Sequence, residues 1–340
     1  KHHNKRNQPD SKMDNRILII DSHLDLGFCA IQVNRDLTQP AATVRIHDSE
    51  PVKRSFGSCT VTFPELRKGH VGIVFGTVMT RTDANDEWTK TGMYAQSQCH
   101  GVGMGHYAFY EAMASEGEIR FIRSAEDLDA SVEAWKDPAP NEPVGVMLAM
   151  ESADAILDPE QVPEWYDRGL RMVSIQHYGT SSYAHGTGTE GGLLPRAKPL
   201  LDALKASGII VDMTHTTDQG FWETLEAYDG PICASHHNCR ALTPGQRQLT
   251  DDMIKAITDR GGIIGTVTKV SEGDEVVVEI AEGIKVKVRK STLSAVESKS
   301  EPQAGDKKAD AKDAANDSAD EGEKKAGGLR GLLGGGKKDG

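Results

Sequence analysis

The sequence predicts an α/β fold built on a parallel sheet or barrel, and three observations carry that prediction. Between residue 15 and about 262, short apolar runs alternate with segments of helical periodicity, the signature of repeated βα units. Several runs end on a residue type that binds metal: RILIIDSHLD, VGVMLAMES (144–152), LRMVSIQHYG (170–179), IIVDMTH (209–215) and PICASHH (231–237). The carboxyl ends of parallel strands converge on one point, where barrel enzymes keep their chemistry. After Gly265 the pattern changes to strict alternation, so the βα series stops there.

In chain order, the strand-like runs are 17–23, 70–79, 119–123, 144–150, 170–176, 209–214, 231–235 and 261–265. AKPLLDALKASG (197–208) and TDDMIKAITDRGG (250–262) have helical periodicity; in the latter, Thr250 suits the N-cap and Gly261 the C′ position. TVTKVSEGDEVVVEIAEGIKVKVRKS has period two with turns at Gly273 and Gly283, which reads as a small antiparallel β meander over 266–298. From Glu297 the chain is Ala, Gly, Lys, Asp, Glu and Ser, too poor in apolar surface to order itself, so 299–340 is expected to be a disordered tail. Residues 1–14 are polar and unpatterned, and a disordered N-terminus is expected there as well.

Composition narrows the function classes. A net charge of -12 without a basic stripe argues against a nucleic-acid partner. Five cysteines, Cys29, Cys59, Cys99, Cys233 and Cys239, are odd in number and lack CxxC spacing. They read as free thiols in a reducing compartment, which favours the cytoplasm. The longest apolar stretches are strand-sized, so no transmembrane segment is expected. The chain opens on Lys1 rather than Met, which leaves a missing export signal open.

The strand-end candidates are His23, Asp25, Glu151, His177, His215 and His236. Singly, each has a bland reading: a histidine satisfied by a hydrogen bond, or a glutamate paired with arginine. Glu151 after an apolar strand is the sharpest, because an unpaired buried carboxylate costs several kcal/mol. Imidazoles and carboxylates at one end of successive strands together read as a metal centre. His237 should point away if its neighbour faces metal, and His185 lies in a Gly/Ser/Thr-rich loop. Cys99, His100 and His106 flank GVGMG, which is not expected to give rigid ligand spacing.

DSHLDL, AMES, SIQHYGTSSYAHG, VDMTH and PICASHHNCRALTPGQRQLTDDMI, in that order, resemble the membrane (renal-type) dipeptidase family of zinc peptidases over about 15–265. The resemblance implies a (β/α)8-type metallohydrolase barrel with two zinc ions and a dipeptide substrate attacked by a metal-bridging hydroxide. Carried over by position, His23 and Asp25 hold one zinc, His215 and His236 the other, and Glu151 bridges them. His177 contacts the substrate and its oxyanion, and Arg247 holds the dipeptide carboxylate. A guanidinium suits that task because its fork matches both oxygens. Glu151 and His177 are thus the expected catalytic residues, and His177 and Arg247 the substrate-binding ones. A homodimer is left open by the sequence.

The chain departs from that family at its end. The expected last strand, with its G-S/F-D-F-D-G-like aspartate, is missing, so the barrel reads as truncated and its activity as doubtful. Instead GGIIGTVTKVSEGDEVVVEIAEGIKVKVRKSTLSAVESK (261–299) resembles YajC, the accessory subunit of the bacterial preprotein translocase. A chimera joined near GGIIG is the expectation. The alternative function is a non-catalytic truncated barrel fused to a translocase-associated binding module.

Overall fold

A computed structural model of the chain describes residues 17–82 and 92–261, together with the backbone of three strands between 266 and 289. Expectations for the two termini and for the eighth strand-like run beyond Gly261 lie outside the described residues.

Among the described residues seven parallel strands form one sheet: β1 (Ile19–Leu24), β2 (Val71–Met79), β3 (Ile119–Phe121), β4 (Val144–Glu151), β5 (Leu170–Ser174), β6 (Ile210–Asp212) and β7 (Ile232–Cys233). Their order is β1-β2-β4-β5-β6-β7, with the short β3 pairing to the start of β4. All seven were legible as apolar runs. For the central strands the reason is burial on both faces, which makes parallel strands read as continuous apolar sequence; in β4 every residue but Met147 is buried.

The register sets up the site. Met79 pairs with Glu151, and Glu151 with Ser174, so the carboxyl ends of β2, β4 and β5 are level. On the far side Asp212 pairs with Cys233. The sheet curls enough to bring its outer strands together at that end. Ser22 Oγ on β1 donates to the Ser235 carbonyl just beyond β7 at 2.7 Å, although no described strand pairs with the outer edge of either. Ile19 and Ile20 on that outer edge are 46 % and 41 % exposed.

Among the described residues ten α-helices accompany these strands: α1 (Leu26–Ile31), α2 (Ala41–His47), α3 (Glu50–Phe56), α4 (Phe63–Lys68), α5 (Gln96–Ser115), α6 (Ala125–Ala134), α7 (Val162–Asp167), α8 (Ala197–Ala206), α9 (Asp218–Ala227) and α10 (Asp251–Asp259). Helix α10 starts as expected, with Thr250 Oγ1 accepting from Met253 N at 3.2 Å, and Gly261 follows its end at φ 80°. Helix α5 corrects an expectation: the glycine-rich stretch around Cys99, His100 and His106 is a continuous 20-residue helix. Glycine is a poor helix former, but here it lets the helix approach closely. A Cβ on Gly103 would come within 2.8 Å of the Ala155 Cβ. No described helix is long and apolar enough to cross a membrane.

Downstream, β8 (Thr266–Val270), β9 (Glu275–Ala281) and β10 (Ile284–Arg289) pair antiparallel in the order β10-β9-β8.

Candidate metal centre

Glu151 ends β4 with its side chain 4 % exposed, inside a ring of imidazoles. Its Oε1 lies 3.1 Å from His215 Nε2, 3.3 Å from His236 Nε2 and 3.6 Å from His177 Nε2. Oε2 lies 3.4 Å from His23 Nε2. Four strand ends thus deliver histidines to one carboxylate, as convergence at a sheet's carboxyl end requires. His23 and His236, from the first and last strands, stack at 3.7 Å between centroids. His177 and His215 lie 4.3 Å apart.

These residues fit a metal. Oε1 of Glu151 is buried without a hydrogen-bond partner, an arrangement that costs several kcal/mol unless a cation completes it. Two donors each about 2.1 Å from a tetrahedral zinc stand about 3.4 Å apart, and the observed separations cluster there. Two groups can each converge on an ion: His23, Glu151 and His236, and Glu151, His177 and His215. Glu151 belongs to both. The sequence expectation pairs His215 with His236; in the metal-free chain both face Glu151 Oε1, and curling of the sheet also sets His236 beside His23. Asp25 is in neither group in the metal-free chain but stands beside His23, within reach of an ion held there. Its Oδ1 is 3.6 Å from His23 Nε2 and accepts the Thr77 hydroxyl.

The loops hold strained backbone at the same place. Ser152, directly after Glu151, has φ 65°, and His215 has φ 67°, conformations that non-glycine residues keep only when their surroundings impose them. Asp154 supplies part of that constraint. Its carboxylate accepts from Ser152 Oγ, from Thr82 N and Oγ1, and from Ser182 N, joining three loops above the sheet. Tyr110, fully buried, ties the Asp25 side together by donating to Thr77 O at 2.9 Å and accepting from Gly27 N at 3.1 Å.

Arg247 stands beside the cluster. One terminal nitrogen, Nη2, donates to the His236 carbonyl at 2.9 Å, while Nη1 is buried without a partner. Burial pulls the guanidinium below its ordinary range, against Tyr178, Glu151 and Asp212. Tyr178, 47 % exposed, packs edge-on to His177 and His215 at 5.0 and 4.9 Å. Sequence reasoning missed Tyr178 and Asp212, ordinary polar residues within the quoted motifs, and Asp154, which lies two residues beyond AMES. His237 Nδ1 is 3.4 Å from Thr214 Oγ1 and His185 Nδ1 is 3.1 Å from Thr180 Oγ1; neither joins a metal group. A cavity of about 250 Å³ opens beside His23 and Asp25, lined further by Cys29, Phe56 and Val61.

Protonation follows from this geometry in the metal-free chain. Burial pulls the His23 imidazole down, but Asp25 and Glu151 outweigh it and hold it up at about 10. Burial lowers His215 to about 3 and lowers His177 too, despite Glu151. For Glu151 burial opposes the charge, yet the surrounding imidazoles prevail and keep its carboxyl well below the usual range. Unfolded His23 loses its proton near 6.5. Its contribution to stability is therefore complete below 6.5 and is lost as pH rises towards about 10. His215 acts in the other direction, losing stability as pH falls from 6.5 towards about 3. The metal-free chain is expected to resist urea best near pH 6.5, with zinc flattening the alkaline fall because it displaces the His23 proton. Urea midpoints that climb steadily from neutral pH towards 10 without metal would contradict this assignment.

The family described as "Membrane dipeptidase (Peptidase family M19)" matches residues 9–314. An uncharacterized dipeptidase of Schizosaccharomyces pombe is 24 % identical over 210 residues, 58 % of this chain and 49 % of that protein. The chain spans about half the length of the curated relatives it matches. Two solved structures share the fold. One is dipeptidase AC, a metallopeptidase of family M19, at TM-score 0.56 and 20 % identity, covering 74 % of this chain and 73 % of that one. The other is a metallopeptidase from Rhodobacter sphaeroides bound to a phosphinate mimic of L-Ala-D-Ala, at TM-score 0.57 and 19 % identity, covering 74 % of each chain.

Proposed function

We propose, since the chain belongs to the membrane dipeptidase family, peptidase family M19, that it hydrolyses the peptide bond of dipeptides at a centre of two zinc ions. The observation that carries this reading is the buried, unpartnered Oε1 of Glu151 facing three imidazole nitrogens. His23, Asp25, Glu151, His215 and His236 would hold the ions, with Glu151 shared. When bound, zinc supplies a Lewis acid and acidifies water towards neutral pH.

The chain's own residues do the rest. Glu151 orients the attacking water from the floor of the site. His177, whose Nε2 faces the same carboxylate, donates to the substrate oxygen as charge develops on it, when such a contact counts most. Arg247 binds the substrate's C-terminal carboxylate through its unpartnered Nη1. That contact fixes substrate length as well as position, because a longer peptide has no carboxylate at this distance.

The test is a panel of dipeptides, their C-terminal amides and longer peptides, assayed with zinc and after chelation. Free dipeptides should turn over only with metal present, and the amides far more slowly. Equal rates for a dipeptide and its amide would remove the Arg247 role. A zinc-loaded chain without turnover would leave the non-catalytic reading. A chimera draws no support from the family match, which runs to residue 314 across the expected junction. Sequencing the source DNA across codons 255–275 tests it.

A further inference from the structure

We infer that Asp212 and Ser235 are positioning residues that dictate which nitrogen of His236 faces the metal, so that the centre's affinity depends on two side chains that never touch it. This rests on the metal-centre reading above.

Asp212 ends β6 and is 3 % exposed. Its Oδ1 accepts three hydrogen bonds, from Thr214 N at 3.1 Å, Thr214 Oγ1 at 2.7 Å and Ser235 N at 3.0 Å. Its Oδ2 faces Ser235 Oγ at 2.5 Å, and that same Oγ lies 2.7 Å from His236 Nδ1. A serine hydroxyl has one proton, whereas an ionised carboxylate can only accept. The Ser235 proton therefore goes to Asp212, the charged and nearer acceptor. Thr214 Oγ1, neutral and 3.2 Å away, competes poorly.

With its proton committed, Ser235 Oγ can only accept from His236, so Nδ1 carries the hydrogen. Nε2 then keeps its lone pair, and Nε2 is the atom 3.3 Å from Glu151 Oε1. A metal ligand needs that tautomer. Neither His177 nor His215 has a carboxylate behind its Nδ1 partner among the described residues. His215 Nδ1 meets Thr187 Oγ1 at 3.1 Å, a hydroxyl that reaches only the His215 carbonyl at 3.4 Å, and His177 Nδ1 has no partner. His236 is also the most exposed of the four, at 29 % against 3 % to 14 %, so it needs the most help to hold one orientation.

Asp212 also ties β6 to the end of β7, and an isosteric substitution separates that structural role from the relay. Asp212→Asn keeps the Oδ1 acceptor for its three donors and places an NH₂ against Ser235 Oγ. The Ser235 proton is then free, and its nearest acceptor is His236 Nδ1. The tautomer reverses and Nε2 carries the hydrogen, which blocks ligation. Ser235→Ala merely removes the bias.

The measurement is zinc affinity of the full chain, by competition with a chromophoric chelator, together with long-range ¹H–¹⁵N spectra of the metal-free protein at mildly alkaline pH. Asp212→Asn should weaken the ion held by His236 roughly 100-fold, and Ser235→Ala only roughly 10-fold. The spectra should report His236 as Nδ1–H in the parent and Nε2–H in Asp212→Asn. A merely structural role predicts unchanged tautomers and affinity losses that track loss of thermal stability. The inference is overturned if the parent shows Nε2–H, or if Asp212→Asn binds zinc no worse than Ser235→Ala. If Asp212→Asn fails to fold, the parent tautomer and Ser235→Ala still decide. A parent that binds no zinc overturns the metal reading instead, and its His236 tautomer still decides the relay.

Discussion

Glu151→Gln is expected to lose at least one zinc ion and to lower kcat/KM by roughly 10³-fold or more, with the metal-free fold preserved. The substitution is isosteric, so the packing of β4, buried almost throughout, does not change. What changes is charge. The carboxylate faces imidazoles from four different strand ends, and a neutral amide cannot serve as an anion shared by two cations. Breaking a buried ion pair at one end is costly when the other charge is left behind, but His23 can shed its proton once residue 151 is neutral and still has Asp25 beside it. The metal-free variant should therefore melt within a few degrees of the parent, while elemental analysis shows the loss of metal. Full zinc content with ordinary turnover would show that Glu151 is a bystander.

The second large effect belongs to Arg247. Its Nη1 has no partner and its Nη2 holds the carbonyl of His236. A charge-assisted hydrogen bond contributes about 1.5–3 kcal/mol, so Arg247→Ala should raise KM for free dipeptides by roughly 10- to 150-fold. The kcat should change little, because carboxylate binding is nearly the same in ground and transition states. Lysine should rescue only in part, since a point charge lacks the fork. Dipeptide amides supply the control: they have no carboxylate to lose, so the variant should treat them as the parent does. A fall in kcat with KM unchanged would mean that Arg247 acts through His236 instead.

How much of this could be read from residues alone depended on what kind of signal each carries. β4 was plain because VGVMLAM is continuous apolar sequence and Glu151 interrupts it. The α10 cap was plain because Thr250 and Gly261 are local chemistry. Helix α5 was not, since Gly101, Gly103 and Gly105 weaken the helical signal. Only the sheet and Ala155 behind Gly103 show why a small residue is needed there. The grouping of ligands was hidden for a different reason. His215 and His236 are near in sequence, but His23 reaches His236 only because the sheet curls from β1 to β7. Asp212 and Ser235 carry no spacing signal, and their role emerges only from the hydrogen-bond chain they form.

The central claim is that Glu151 lies between two metal ions. The most direct test is anomalous diffraction at the zinc edge from crystals of the zinc-loaded chain. Two peaks about 3.5–4 Å apart are expected, one on each side of the Glu151 carboxylate, with His23 and Asp25 near one and His215 near the other. An absence of any peak at Glu151 in crystals soaked with excess zinc, or zinc found instead at Cys99 and His100 on α5, would contradict it.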